Sequence, residues 1–140
     1  ESSKQVRYCI ADNFLTFWFR FIYRYQSYIE SGALRLVENI VRRDYEVFSG
    51  IMLERYFRDK FMQSGMYTHI GMYWNRKGEN EIDLIAMNEI DKTAAIYEIK
   101  RDASRYSRTL LEKKVENLLE AEKELKKYTL SIDKLSMEDM

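Results

Sequence analysis

The sequence predicts an α/β sandwich built on a mixed β-sheet. Three observations point there. Apolar residues recur at helical spacing as far as Gln63, then switch to a period of two through Lys100. A further amphipathic helix follows over Arg108–Lys127. One more short apolar strand comes after it. The order is therefore helices, three strands, helix, strand, and the last helix can serve as the crossover that returns the chain parallel to the third strand.

Each element has its own local reason. Arg7–Ile10 reads as a short strand. Asp12 or Asn13 is placed to cap a helix over "FLTFWFRFIYRYQSYI", in which Phe14, Trp18, Phe21 and Tyr25 share one face. Phe17, Phe19 and Ile22 add apolar surface elsewhere. The segment is either an ordinary core helix or one that also packs against a neighbouring domain. Arg20 and Arg24 interrupt it, and it is too short for a membrane span. Ser31-Gly32 breaks the chain. Ala33–Arg43 reads as one helix and Asp44–Gln63 as another, with Tyr45, Phe48, Met52, Leu53 and Tyr56 along a stripe. Gly50 weakens that second helix unless it permits a close contact. Ser64-Gly65 ends it. "YTHIGMYW", "EIDLIAM" and "AAIYEIK" are strands joined by the turns "NRKGEN" and "NEIDK". In the last helix, Leu111, Val115, Leu118, Leu119 and Leu125 form the stripe, and Glu122 can pair with Lys126. "YTLSI" is the final strand.

Composition narrows the function. A chain of 140 residues, 46% hydrophobic, is one domain's worth of sequence and can bury a core. Residues 1–43 read as a helical extension packing on the rest. With 23 basic and 23 acidic residues, no global basic footprint for nucleic acid exists, so such binding needs a local patch. Cys9 is the single cysteine, which excludes an internal disulfide and fits a reducing, cytoplasmic setting. His69 is the single histidine, which argues against a zinc site of Cys and His ligands. It is expected to pack in or beside the first strand, and Cys9 to be a buried small hydrophobe. The chain opens without Met and without a secretory signal, and reads as a fragment of a longer protein.

The charges in the hairpin pose the functional question. On a strand, residues two apart face the same way, so Glu98 shares a face with Lys100, and Glu81 with Asp83. The opposite faces carry Ile82, Leu84 and Ala86, and Ala95, Tyr97 and Ile99. Pairing of the two strands lets Asp83 approach Glu98. Two close carboxylates repel unless a cation intervenes, and hard oxygen ligands of this kind suit Mg²⁺. Lys100 could then orient a water or stabilise charge building on a phosphate. The competing reading is a solvated surface ion pair, worth about 0–1 kcal/mol.

The element order, with an acid on a helix, an Asp on a strand and Glu-x-Lys on the next, resembles the PD-(D/E)XK nuclease superfamily. Glu54 in "GIMLERYF", Asp83 in "EIDLIA", and Glu98 with Lys100 in "YEIK" carry that resemblance. The stretches "YCIADNFLTFWFRFIY", "HIGMYWNRKGENEIDLIA" and "YEIKR" resemble the C-terminal domain of unknown function that follows an AAA+ ATPase module and a winged helix in archaeal and bacterial ATPases. The resemblance covers the chain from about Arg7 to Met140. It implies a restriction-endonuclease-like core with a mixed four-stranded sheet. It further implies Asp83 and Glu98 as metal ligands, Glu54 as the helical acid that completes the metal shell, and Lys100 as the catalytic lysine. Glu54 could equally pair with Arg58 one turn on. No GxxxxGK[ST] phosphate loop is present, so ATP would bind only in the absent ATPase module. Arg76 and Lys77, in the loop before the Asp83 strand, and Arg101 after the Glu-x-Lys strand are candidate phosphate contacts. Arg105 and Arg108 would extend that patch. Expected partners are nucleic acid, the ATPase and winged-helix module in cis, and a second copy of the chain. The alternative function is a non-catalytic module that docks the ATPase or another protein.

Overall fold

A computed structural model describes residues 10–75 and 80–140. The expected strand over Arg7–Ile10, Cys9, and the loop residues Arg76 and Lys77 lie outside the described residues, Ile10 apart. The chain divides into two compact units, 1–48 and 49–140.

In the first unit, α1 (Asn13–Phe17) is capped by Asp12, whose side chain accepts the Leu15 N–H at 2.7 Å. The predicted single aromatic helix is broken into pieces. A π-helical stretch at Trp18–Ile22 and a 3₁₀ turn at Tyr23–Tyr25 lead into α2 (Gln26–Glu30). The changed winding defeats the simple four-residue stripe. Of Phe14, Trp18, Phe21 and Tyr25, only Phe21 is buried, and its ring meets Phe48 edge-on at 5.3 Å. Phe14, Trp18, Phe19 and Tyr23 are exposed. Gly32 turns the chain at φ +80, a left-handed conformation that favours glycine.

Two helices were expected between Ala33 and Gln63; the structure has one, α3 (Leu34–Gln63). Asp44 does not restart a helix because its carboxylate pairs with Arg43 beside it, 2.7 Å away, and no proline interrupts the run. Gly50 makes no close approach: an added Cβ would meet nothing within 4 Å. The buried residues of α3 are Val37, Phe48, Leu53 and Phe57, while Tyr45 is exposed.

The second unit holds the sheet: β1 (His69–Trp74), β2 (Glu81–Asn88), β3 (Thr93–Ile99) and β4 (Thr129–Leu135), in that spatial order. The first three strands are antiparallel neighbours and β4 runs parallel to β3. The crossover between them carries α4 (Arg108–Ala121), capped by Ser107. The expected mixed sheet with flanking helices is therefore present. β4 runs three residues past Ile132 because its parallel pairing with β3 continues to Leu135. Conversely, α4 stops at Ala121, and Lys123–Lys127 is a 3₁₀ turn. That break replaces the expected Glu122–Lys126 pair with one between Lys127 and Glu124, 2.7 Å apart.

The sheet is covered on both sides. On one, Ile82, Ile85 and Ile96 pack with Leu111, Val115 and Leu118 of α4. On the other, Leu84 and Ile99 pack with Leu53 and Phe57 of α3. Strict alternation would have put Ile82 and Leu84 on one face, but they belong to different cores. The register explains it. Gly71 pairs with Ile85 and Tyr73 with Ile82, so the single residue Met72 faces both Asp83 and Leu84. This extra residue in β2 is a bulge, and bulges re-aim side chains.

Candidate functional site

The bulge places Asp83 where regular pairing fails. Continuing the β2–β3 register one step past Leu84–Tyr97 sets Asp83 opposite Glu98. Instead of a ladder bond between backbones, the Asp83 carboxylate accepts the Ile99 N–H at 2.7 Å. Its side chain thus reaches across to β3 and is held there. Glu98 follows Ile96 by two residues, so it faces α4 from the same side of the sheet.

Glu98 is 6% exposed. A solvated ion pair does not look like this; the acid is inside and must be compensated. Compensation comes from two ammonium groups on one oxygen. Lys100 Nζ lies 3.1 Å from Glu98 Oε1, and Lys114 Nζ, reaching from α4, lies 3.0 Å from the same atom. Lys100 is also 4.0 Å from Asp83. One cationic group therefore already stands within reach of both carboxylates.

The electrostatics follow from burial and these partners. Burial alone would raise Glu98, but its hydrogen bonds from Lys114 and Lys100 outweigh it and hold the carboxyl below its usual range. Asp83 is raised, chiefly by burial, with the Ile99 N–H and the two lysines only partly offsetting it. Glu54, on α3, is pushed up to about 7 by burial and then by the Asp83 charge; Arg58 and Lys100 pull the other way. Arg58 lies 3.9 Å from Glu54, so the helix pair envisaged from sequence is formed, loosely.

Sequence reasoning put Asp83, Glu98 and Lys100 in one place, and the structure brings these three together. Glu54 is coupled to them electrically. Yet among the described residues no three acidic, His or Cys side chains gather closely enough to form a ready-made metal cage. The donor set suits a hard cation: a facing acid pair with an ammonium group between, as for Mg²⁺ held by one or two carboxylates and waters. Arg101 is half-buried directly after Lys100. Arg108 pairs with Glu112 on its own helix, 2.9 Å apart, and so is turned to a surface ion pair. His69 is not packed in: its side chain is largely exposed, 3.6 Å from Glu89.

Two residues escaped the sequence reading. Lys114 was not singled out from "LLEKKVENLL". The signal that could have found it is its position beside the stripe of Leu111, Val115 and Leu118, which turns its stem toward the sheet. Asn80, 4% exposed, looked like a turn residue. Its amide donates to the Lys114 carbonyl at 3.1 Å and accepts from Asn117 at 3.3 Å, clamping α4 over the entrance of β2.

Fold and site together define a mixed α/β domain with a buried Glu98 and a partly buried Asp83 answered by lysines at a strand bulge. The chain belongs to a family described as archaeal and bacterial proteins of unknown function, DUF234, whose model matches residues 18–117. It is 36% identical over 124 residues to an uncharacterised protein of Methanocaldococcus jannaschii, MJECL04. That alignment covers 79% of this chain and 27% of the relative, so the chain spans about a quarter of the relative's length. No solved structure matches significantly. Among the described residues, no helix is long and apolar enough to cross a membrane.

Proposed function

We propose that this chain is a PD-(D/E)XK-like domain with a restriction-endonuclease-like core that hydrolyses phosphodiester bonds in nucleic acid. The observation that carries the reading is Lys100 Nζ standing 3.1 Å from Glu98 and 4.0 Å from Asp83. Asp83 and Glu98 would hold Mg²⁺, and Glu54 is the acid nearest in electrical terms to complete the set. When bound, Mg²⁺ polarises the phosphodiester and lowers the pKa of its water. Lys100 would stabilise negative charge building on the phosphate, a role for which a cation held in place by Glu98 and Asp83 is effective. Arg101, with Arg76 and Lys77, would meet flanking phosphates without reading sequence. ATP would enter only through a separate AAA+ module acting in cis, in a cytoplasmic setting.

The test is cleavage of single- and double-stranded DNA and RNA in Mg²⁺ and in EDTA. Wild type is expected to cleave in Mg²⁺ alone, and Glu98→Gln and Lys100→Ala to cleave at least about 10²-fold more slowly. Undiminished cleavage by both variants overturns the reading. The second reading, a docking module for a partner protein or a second copy, draws support from Phe14, Trp18, Phe19 and Tyr23 standing in solvent. It gains if no nucleic acid is cleaved under any of these conditions.

A further inference from the structure

We infer that Lys114 is a displaceable internal counter-ion: it occupies Glu98 until a divalent cation takes that oxygen, and then serves as a phosphate contact. The inference rests on the metal-binding reading of Asp83 and Glu98 and assigns a new residue to it.

The argument begins with one oxygen. Glu98 Oε1 receives both Lys114 at 3.0 Å and Lys100 at 3.1 Å. Two ammonium groups on one atom repel each other, and the repulsion is offset by the Glu98 carboxylate they share and by the Asp83 charge nearby. A divalent ion ligated by Glu98 would bring a third cationic centre beside two ammonium groups that already meet on Oε1, and the added repulsion favours release of one of them. The lysine held by fewer partners is the one to withdraw. Lys100 also faces Asp83, at 4.0 Å, and is two residues from Glu98 on the same side of β3. Among the described residues Lys114 forms an ion pair with Glu98 alone, and it comes from another element, so its side chain is the one that can swing away.

The backbone behind Lys114 does not follow. Its carbonyl is fixed by Asn80, and Asn117 one turn on closes the same clamp. The ammonium therefore moves on a flexible stem from a fixed root. Its side chain is 26% exposed, so solvent and an incoming anion can reach it. A phosphate oxygen is the ligand such a released point charge suits.

The test uses the metal-free 140-residue chain and titrates Mn²⁺ by electron paramagnetic resonance. Glu98→Gln should weaken Mn²⁺ binding. Lys114→Met, which keeps the apolar stem, should tighten it at least about threefold, in line with the loss of a partly exposed competing ion pair. A merely structural lysine would not give a gain. Lys114→Arg should stay close to wild type. In Ca²⁺, binding of a single-stranded oligonucleotide should weaken in Lys114→Met, and its salt dependence should fall by about one phosphate contact. Should the Met variant fold poorly, Lys114→Gln repeats both measurements. Unchanged or weaker Mn²⁺ binding by the Lys114 variants, with Glu98→Gln still impaired, overturns the inference and leaves the metal site standing. Equal Mn²⁺ binding by wild type and Glu98→Gln overturns the site itself.

Discussion

The two units break the usual rule of burial in opposite directions. Residues 10–48 leave rings in water: Phe14, Trp18, Phe19 and Tyr23 are all exposed. Residues 49–140 take polar groups out of water: Asn80, Glu98 and Ser136 are buried. Exposed aromatic surface is costly only in lost burial and is relieved by a covering surface. A buried charge costs more and is kept only where partners answer it, as Lys100 and Lys114 answer Glu98. The first pattern points to association, the second to chemistry.

The contrast can be broken most forcefully at the core under the site. Phe57 is 1% exposed and packs with Leu53, Leu84 and Ile99. Phe57→Ala should destabilise by about 3–5 kcal/mol in urea or thermal unfolding. A loss below ~1 kcal/mol would mean that this side of the sheet is not a packed core. Next in size is the chemical effect. Lys100→Ala should lower Mg²⁺-dependent cleavage by about 10²–10³-fold, the range for a preorganised charge-stabilising group, measured below the variant's own melting temperature because Glu98 then keeps only Lys114.

A third test uses pH. Glu54 is pushed up to about 7 when folded, above its ordinary 4.5, so the folded state binds more protons than the unfolded one between those values. Stability should therefore fall as pH rises from about 4.5 to 7, and level off above. The fall should be on the order of 1–3 kcal/mol. Glu54→Gln should flatten it, and saturating Mg²⁺ should oppose it at pH 8. A parallel pH profile in the variant would remove Glu54 from the electrostatics of the site. The smallest effect sharpens the comparison from the other side. Phe14→Ser should change unfolding stability by no more than about 0.5 kcal/mol, as befits an exposed ring, and reduce any self-association seen by ultracentrifugation.

Much of this was legible in the sequence. The period-two runs gave three strands in order, and the helix after them could serve as the crossover to a parallel fourth, because no short turn can join parallel neighbours. Spacing on β3 was enough to put Glu98 and Lys100 on one face. Where the reading went astray, interactions that hydrophobic spacing does not report were at work. α3 continues through Asp44, whose carboxylate pairs with the neighbouring Arg43 rather than capping a new helix. The aromatic segment winds as a π-helix, which no spacing of phenylalanines announces. Ile82 and Leu84 fall to different cores because β1 lacks a residue opposite Asp83.

The sequence by itself determined the order of elements, the mixed sheet, and the acid pair with its strand lysine. Those follow from periodicities of two and 3.6, which are properties of a single segment. Only the tertiary structure decided that Glu98 is buried, that a bulge hands Asp83 to the Ile99 N–H, and that Lys114 meets Glu98 across the layers. Contacts between residues far apart in the chain depend on register and on the seating of α4, which Asn80 fixes, and neither is written in any local pattern.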